Sequence, residues 1–181
     1  GLRRSHCFHP GPPSRGTIPA LILYLSRMNK KVLLIAHHYP PMGGPGTHRS
    51  LQFTRYLHEL GYEVHVLTVS LEDIAEGSYP LDESRLHEIP AEVPVHRATI
   101  GYPKKFRDAL IRFRLFRLVW FFAYPWFWEP AANWTRTAIP LAEQIIKDHH
   151  ISLFYTSSGP FVAAQIGSAL RRKLNIRWIC D

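Results

Sequence analysis

Hydrophobic and polar positions along the chain follow the pattern of strands that alternate with helices. Residues 31–36 (KVLLIA) form a continuous apolar run rich in branched side chains, which is typical of a strand buried on both faces of a parallel sheet. After a loop, apolar side chains recur at helical spacing from Leu51 to Leu60, and Gly61 is placed to end that helix. Residues 63–69 (EVHVLTV) then form a second strand. A unit of this kind predicts parallel strands joined by a right-handed crossover.

The rest of the chain continues this alternation and indicates the fold class. In chain order, the pattern predicts a surface excursion at 70–92, a strand at 93–100, a helix at 104–124, a helix at 131–149 that Pro140 kinks or breaks, a strand at 151–157, a helix at 158–174 and a strand at 175–181. Strands and helices in this order predict an α/β, Rossmann-like, doubly wound fold with a mainly parallel sheet.

Composition separates the first 27 residues from the remainder. The chain of 181 residues is 46% hydrophobic, which is enough for one domain with a core. Residues 1–27 carry four arginines and no acidic residue, so half of the net charge of +8 lies in a segment that is also rich in proline and glycine. We expect this segment to be a disordered or non-native extension of a domain formed by residues 28–181. An N-terminal arm that packs on the domain is the alternative.

The two cysteines and the short apolar runs bear on location. Cys7 and Cys180 lie at opposite ends of the chain and give neither a disulfide framework nor metal-ligand spacing. This usage fits a reducing compartment and predicts a cytoplasmic protein. The apolar run at 18–25 is broken by Pro19 and is too short to span a membrane.

The sequence HHYPPMGGPGTHR, directly after the first strand, is the main candidate for chemistry. It leads into the N-terminus of a helix, where unpaired amides and a partial positive charge bind anions. Gly43, Gly44 and Gly46 allow the backbone to approach a phosphate closely. Thr47 can cap the helix, and Arg49 can add a bidentate contact. The loop therefore predicts half of a phosphate-binding site.

A plain turn is an alternative interpretation of this loop, and a metal site is a weaker one. The glycines can serve only to turn the chain, since the spacing is neither the G-x-G-x-x-G fingerprint nor a P-loop with its lysine. A metal site at His37 and His38 is disfavoured, because adjacent side chains on an extended strand point to opposite faces. We therefore expect no bound metal at this loop.

Two stretches of the chain resemble family-4 glycosyltransferases of the GT-B fold. These enzymes open with a strand, a Pro-Pro-x-Gly-Gly loop, a helix, and then Leu-x-x-x-Gly-aromatic-x-Val and a strand that ends in Leu-Thr. The matching residues here are Pro40, Pro41, Gly43, Gly44, Leu57, Gly61, Tyr62, Val64, Leu67 and Thr68. Downstream, ISLFYTSSGPFVAAQIGSALRRKLNIRWICD is similar to the family's later strand, Ser-Ser-x-Pro turn, helix and strand. The resemblance covers residues 31–70 and 151–181.

This resemblance implies the N-terminal, acceptor-side half of a GT-B enzyme. The whole enzyme would transfer a sugar from a nucleotide-sugar to a hydroxyl of a glycan or lipid-linked acceptor, in cell-envelope or polysaccharide synthesis, without a metal or other cofactor. The implied donor–acceptor cleft consists of Gly43, Gly44, Gly46, Thr47, Arg49, Ser157, Ser158 and Asp181. A C-terminal domain that holds the donor is expected to follow, so the 181 residues alone are expected to be inactive. No catalytic residue is assigned, and Pro45 departs from the family's pattern.

The stretch KKFRDALIRFRLFRLVWFFAYPWFW (104–128) combines basic and aromatic residues. A helix with these properties is typical of proteins that lie on an anionic membrane, and this predicts a peripheral position on the inner membrane face. The membrane-facing candidates are Arg112, Arg114, Arg117 and Trp120. The alternative is an amphipathic helix that covers the sheet.

Three other functional classes fit the sequence less well than a glycosyltransferase. Nucleic acid is not an expected partner, since no recognition motif is present. A non-catalytic Rossmann-like domain that binds phosphate or a nucleotide is the runner-up, and a peripheral membrane-binding module is the third interpretation.

Overall fold

The computed structural model describes residues 30–76, 80–100 and 133–181. The predicted extension at 1–27 and the predicted helix at 104–124 lie outside these residues. In chain order, the elements are β1 (Lys31–Ala36), α1 (Pro45–Glu59), β2 (Glu63–Val69), α2 (Leu71–Glu76), a 3-10 helix (Glu83–Glu88), β3 (Val95–Ala98), α3 (Trp134–Asp148), β4 (Leu153–Ser157), α4 (Val162–Leu174) and β5 (Arg177–Cys180). Within the described ranges, no helix is both long enough and apolar enough to cross a membrane.

The five strands form one parallel sheet in the order β3-β2-β1-β4-β5. β1 occupies the centre, where Val32 pairs with Val64 of β2 on one side and with Leu153 of β4 on the other. The chain thus winds outward from β1 in one direction and then from β4 in the other. The α/β, Rossmann-like, doubly wound fold predicted from the sequence is confirmed.

Both faces of the central strand are buried, which explains its continuous apolar sequence. Leu33 and Ile35 belong to the cluster that α3 and α4 cover. Val32 and Leu34 belong to the cluster on the opposite face, against which Phe53 of α1 packs. A strand between two layers of helices requires apolar side chains at successive positions, because the side chains on both faces of the strand are buried.

The structure corrects several predicted boundaries. Of the two effects predicted for Pro140, a break is wrong, since α3 runs from Trp134 to Asp148, and a kink stays a prediction. The proline is exposed, while the other face of the helix packs on the sheet and stabilises it. The helix expected from residue 158 begins at Val162. The excursion at 70–92 contains α2 and the 3-10 helix.

Candidate functional site

The residues predicted to form a cleft surround the point where the winding of the sheet reverses. β1 and β4 are neighbours in the sheet, yet the helices that follow them pack on opposite faces. The two connecting loops therefore diverge and leave a crevice, the usual position of a ligand in doubly wound folds. His38, Gly43 and Gly44 of the loop after β1 line one side of this crevice, and Gly159 of the loop after β4 lines the other.

Backbone contacts fix the loop after β1. The Gly43 amide donates to the carbonyl of Pro80 at 2.6 Å, and the Asp82 amide donates to the carbonyl of Pro41 at 2.7 Å. An antiparallel β-bridge joins the same two segments. A Cβ atom at Gly43 would lie 3.3 Å from the Pro80 oxygen, so this close approach favours glycine.

Arg97 of β3 supports the start of this loop from the edge of the sheet. Its guanidinium donates to the carbonyl of Pro40 at 2.8 Å and to the carbonyl of Val69 at 3.0 Å. Partial burial lowers the pKa of Arg97 below its usual range, but an arginine stays protonated at neutral pH. Arg97 is therefore a positioning residue that connects β2, β3 and the glycine loop.

Gly44 and Gly46 differ in backbone conformation and in what a Cβ atom would meet. Gly44 has φ 106°, a left-handed conformation, and a Cβ atom there would meet nothing within 4 Å. Backbone conformation alone accounts for that glycine. A Cβ atom at Gly46 would instead lie 3.3 Å from the His38 ring. The open space over Gly44 leaves the helix N-terminus accessible from the crevice.

Thr47 does not cap α1, contrary to the prediction. The N-cap residue is Gly44, and Pro45 occupies the first helical position, where its fixed φ and missing N–H are favourable. The helix therefore starts too early for a threonine cap, and the Thr47 side chain is fully buried. The Thr47 side chain does not line the crevice.

Arg49 of α1 contacts the carboxyl ends of β4 and β5. Its Nη2 donates to Ser157 Oγ at 3.1 Å, and its Nη1 lies 3.4 Å from Asp181 Oδ2. The same carboxylate accepts a hydrogen bond of 2.9 Å from the hydroxyl of Tyr155. The Arg49 and Asp181 side chains are 49% and 43% exposed, so the ion pair is open to an incoming ligand. The structure thus brings together three residues that the sequence predicted for one site.

Ser158 contacts the neighbouring strand. Its amide donates to the Asp181 carbonyl at 3.1 Å, and the Asp181 amide donates to the Thr156 carbonyl at 3.1 Å. The Ser158 hydroxyl lies 3.4 Å from Cys180 Sγ. These contacts continue the β4–β5 pairing beyond the strands and fix the position of the Asp181 backbone.

A groove of about 570 Å³ opens in this crevice. Its size lies within the range of small-molecule sites, which is about 300–1,000 Å³. The lining residues are His38, Gly43, Gly44, Pro45, Gly46, Arg49, Pro80 and Gly159.

Charge in the groove is concentrated at Arg49. Burial and, secondarily, the adjacent His38 lower the pKa of His37 to about 3. Burial, followed by the nearby Arg49, also lowers the pKa of His38. Both rings are therefore neutral at pH 7. Burial and the hydrogen bond to Asp181 raise the pKa of Tyr155 to about 12, so that phenol stays a donor. An anion that enters competes with Asp181 for the Arg49 guanidinium.

Some residues of the site were not predicted. Gly159 is the next residue after Ser158 in the Ser-Ser-Gly-Pro turn, so the turn motif that points to Ser158 also points to Gly159. Pro80 and Arg97 approach the loop only through tertiary contacts, so no local pattern points to them. The membrane-facing candidates Arg112, Arg114, Arg117 and Trp120 lie outside the described residues, and that prediction stays a prediction.

No protein-family model matches this chain, and no curated protein matches it. The crevice itself therefore supplies the argument for function.

Proposed function

We propose that this chain is the acceptor-side domain of a GT-B glycosyltransferase, whose activity is transfer of a sugar from a nucleotide-sugar to an acceptor hydroxyl. The observation that supports this proposal is the position of Arg49. It is the fifth residue of α1, close to the glycine loop, and contacts Ser157 and Asp181 at the carboxyl ends of the neighbouring strands.

The crevice provides what the leaving diphosphate of a nucleotide-sugar requires. In the first turn of α1, Pro45 has no N–H and the His48 amide donates to the Gly44 carbonyl, which leaves the amides of Gly46 and Thr47. Amides at these positions have no carbonyl partner within a helix and carry partial positive charge. Arg49 adds a full charge and a planar donor set that suits phosphate oxygens. Positive groups fixed at the position where negative charge develops lower the barrier to bond cleavage. The sugar would pass to the acceptor oxygen as the bond to the diphosphate breaks.

Asp181 supplies the polar counterpart for a hydroxyl-bearing ligand. Its carboxylate is held by Tyr155 and Arg49 and remains partly exposed. A carboxylate in this position accepts hydrogen bonds from hydroxyl groups of a sugar or a glycan acceptor. The proposal also requires a second Rossmann-like domain that holds the nucleotide, so the 181 residues alone are expected to bind phosphate ligands weakly and not to turn over.

The first test is a transfer assay on the natural polypeptide that contains this domain. Nucleotide-sugars are supplied with lipid-linked and glycan acceptors, and product is detected by mass spectrometry. We expect Arg49→Ala to lower kcat/KM by about 100-fold, as loss of one preorganised charge does in other enzymes. Arg55→Ala is the matched control, because Arg55 lies on the same helix but pairs with Glu88. Equal activity of the Arg49→Ala variant and wild type would contradict the proposal.

A binding experiment, taken with the transfer assay, distinguishes the runner-up, a non-catalytic phosphate-binding domain, from a glycosyltransferase. Pyrophosphate and uridine diphosphate are titrated into the 181-residue chain and followed by amide chemical shifts. Shifts at Gly44, Gly46 and Arg49 that vanish in Arg49→Ala support an anion site in either case. Binding without any transfer by the full-length polypeptide favours the runner-up.

The membrane-binding interpretation concerns residues outside the described segments, and it is tested separately. Co-sedimentation with anionic liposomes is expected to weaken when Arg112, Arg114 and Arg117 are changed to Glu. Unchanged sedimentation would reject it.

A further inference from the structure

A cluster of titratable side chains lies toward the amino ends of β2 and β3, at the opposite end of the sheet from the crevice. Glu63 and His65 are two positions apart on β2 and therefore share one face of the sheet. His96 of β3 lies on the same face, since it pairs with the position two residues beyond His65. His149, the C-cap residue of α3, completes the cluster.

Distances within the cluster are short. His65 Nε2 lies 3.1 Å from Glu63 Oε1, and His65 Nδ1 lies 3.3 Å from His96 Nε2. The His65 and His149 ring centroids are 4.1 Å apart. One ligand atom each from Glu63, His65 and His149 lie within 4.8 Å of one another.

These separations approach those of a metal site. In a tetrahedral zinc site, with bonds of about 2.0–2.1 Å, donor atoms are about 3.3 Å apart. The Glu63–His65 pair already has this separation. His149 caps a helix end and is only partly buried, so rotation of its side chain can close the remaining distance.

The chemistry of the three side chains suits a cation. Imidazole nitrogen and carboxylate oxygen are both among the atoms that bind zinc in proteins.

His96 is placed to orient His65. When Nε2 of His65 faces the ion, its Nδ1–H donates to His96 Nε2 at the observed 3.3 Å. A hydrogen bond of this kind on the second ring nitrogen fixes the tautomer and the orientation of a metal-bound histidine. His96 thus has a role that differs from that of the three ligands.

Lys31 is the competing cation. Its ammonium lies 3.1 Å from Glu63 Oε2, whereas His65 faces the other oxygen, Oε1. Oε1 is therefore the oxygen available to an ion. A positive charge so close to the carboxylate weakens the binding of any divalent cation.

We propose that Glu63, His65 and His149 bind one divalent transition-metal ion of the zinc class, with His96 orienting His65. Two imidazoles and one carboxylate suit zinc and its neighbours in the first transition row, whereas calcium and magnesium prefer oxygen ligands alone. The site is independent of the proposed glycosyltransferase activity.

The test is a calorimetric titration of zinc chloride into the chelator-treated chain at pH 7.5. His6, Cys7 and His9 are also potential ligands, so all titrations use a background in which they are replaced by Ala, Ser and Ala. We expect one ion per chain, with at least tenfold weaker affinity in both His149→Ala and Glu63→Gln. His96→Ala is expected to weaken binding about 10–100-fold, as loss of an orienting partner does in other metal sites. His96→Gln should restore part of the loss.

Two variants control the interpretation. His48→Ala removes an exposed histidine on α1 and should leave the affinity unchanged. Lys31→Met should tighten binding severalfold, an effect that a nonspecific surface site would not show. Magnesium should give no measurable heat. Unchanged zinc affinity in both His149→Ala and Glu63→Gln, with folding verified by circular dichroism, would overturn the proposal.

Discussion

The two ends of the parallel sheet carry polar groups in different ways. At the carboxyl ends, the groove is shaped mainly by backbone: a glycine loop, a turn and a helix N-terminus, with Arg49 and Asp181 as the charged pair. At the amino ends, side chains alone make the cluster around His65. The first region is shaped by chain geometry, and the second is assembled by strand register. The two regions should therefore respond differently to substitution.

Loss of packing beneath the carboxyl end should have the largest effect. Trp134 is fully buried, donates to the Ala98 carbonyl at 3.2 Å and packs edge-on against His37 with a centroid distance of 5.5 Å. Trp134→Ala is expected to lower the free energy of unfolding by about 3–5 kcal/mol. Urea unfolding checks this value, with the exposed Tyr56→Ala as control. A loss no greater than in the control would show that the groove does not depend on α3.

Acid should destabilise the protein next most strongly. The pKa of His37 is about 3 in the folded chain, against 6.5 when unfolded, so between these values only the unfolded chain takes up the proton. Stability therefore falls as the pH drops below 6.5, by about 2 kcal/mol between pH 7 and pH 5 for this residue. The lowered pKa values of His65 and His96 act in the same direction at the other end.

Substitution of single histidines measures how much each end of the sheet contributes to the loss of stability in acid. Urea unfolding at pH 7, 6 and 5 should show a flatter pH dependence for His37→Phe than for wild type. His96→Phe should flatten it less, because His96 is less buried. A His37→Phe variant with the wild-type pH dependence would contradict the assignment.

Substitutions in the glycine loop are expected to lower the free energy of unfolding by a smaller amount. Gly44→Ala forces a Cβ into a left-handed conformation at a cost of about 1–2 kcal/mol, although the space around it is open. Gly46→Ala should change stability by less than about 0.5 kcal/mol, because alanine is favoured in a helix and the His38 ring can shift. Thermal unfolding of the two variants measures the difference. Equal stability of the two variants would contradict the role of the Gly44 backbone conformation.

The smallest change in stability is expected for Asp181→Asn. Arg49 and Asp181 are each a little under half exposed, so loss of their ion pair should cost less than about 0.5 kcal/mol. If the proposed anion site is right, pyrophosphate should nevertheless bind severalfold more tightly, because Arg49 loses a competing partner. Weaker pyrophosphate binding by this variant would contradict the competition between Asp181 and the anion.

The sequence predicted the parts of the molecule that local patterns determine. The bounds of β1 and β2 were correct because continuous apolar runs end at polar residues. The glycine loop and Arg49 were identified because turn chemistry and the start of a helix are local features. The Thr47 cap was predicted wrongly because two start signals, Gly-Pro and Thr, lie close together and the first one prevails.

The metal-ligand cluster was not predicted because no local pattern contains it. Glu63 and His65 are spaced correctly for one face of a strand, but His96 and His149 join them only through strand register and the end of α3. The contacts of Arg97 with Pro40 and Val69 are equally nonlocal. Such residues become visible only when the sheet order is known.

The pairing of the glycine loop with residues 80–82 makes the position of this loop measurable by amide hydrogen exchange. The Gly43 amide donates a hydrogen bond of 2.6 Å to the Pro80 carbonyl, and the Asp82 amide donates one of 2.7 Å to the Pro41 carbonyl. Each can exchange its hydrogen with solvent only when the two segments separate. Their exchange rates therefore report how often the loop leaves its position, and a ligand that needs the present shape of the groove will slow both together.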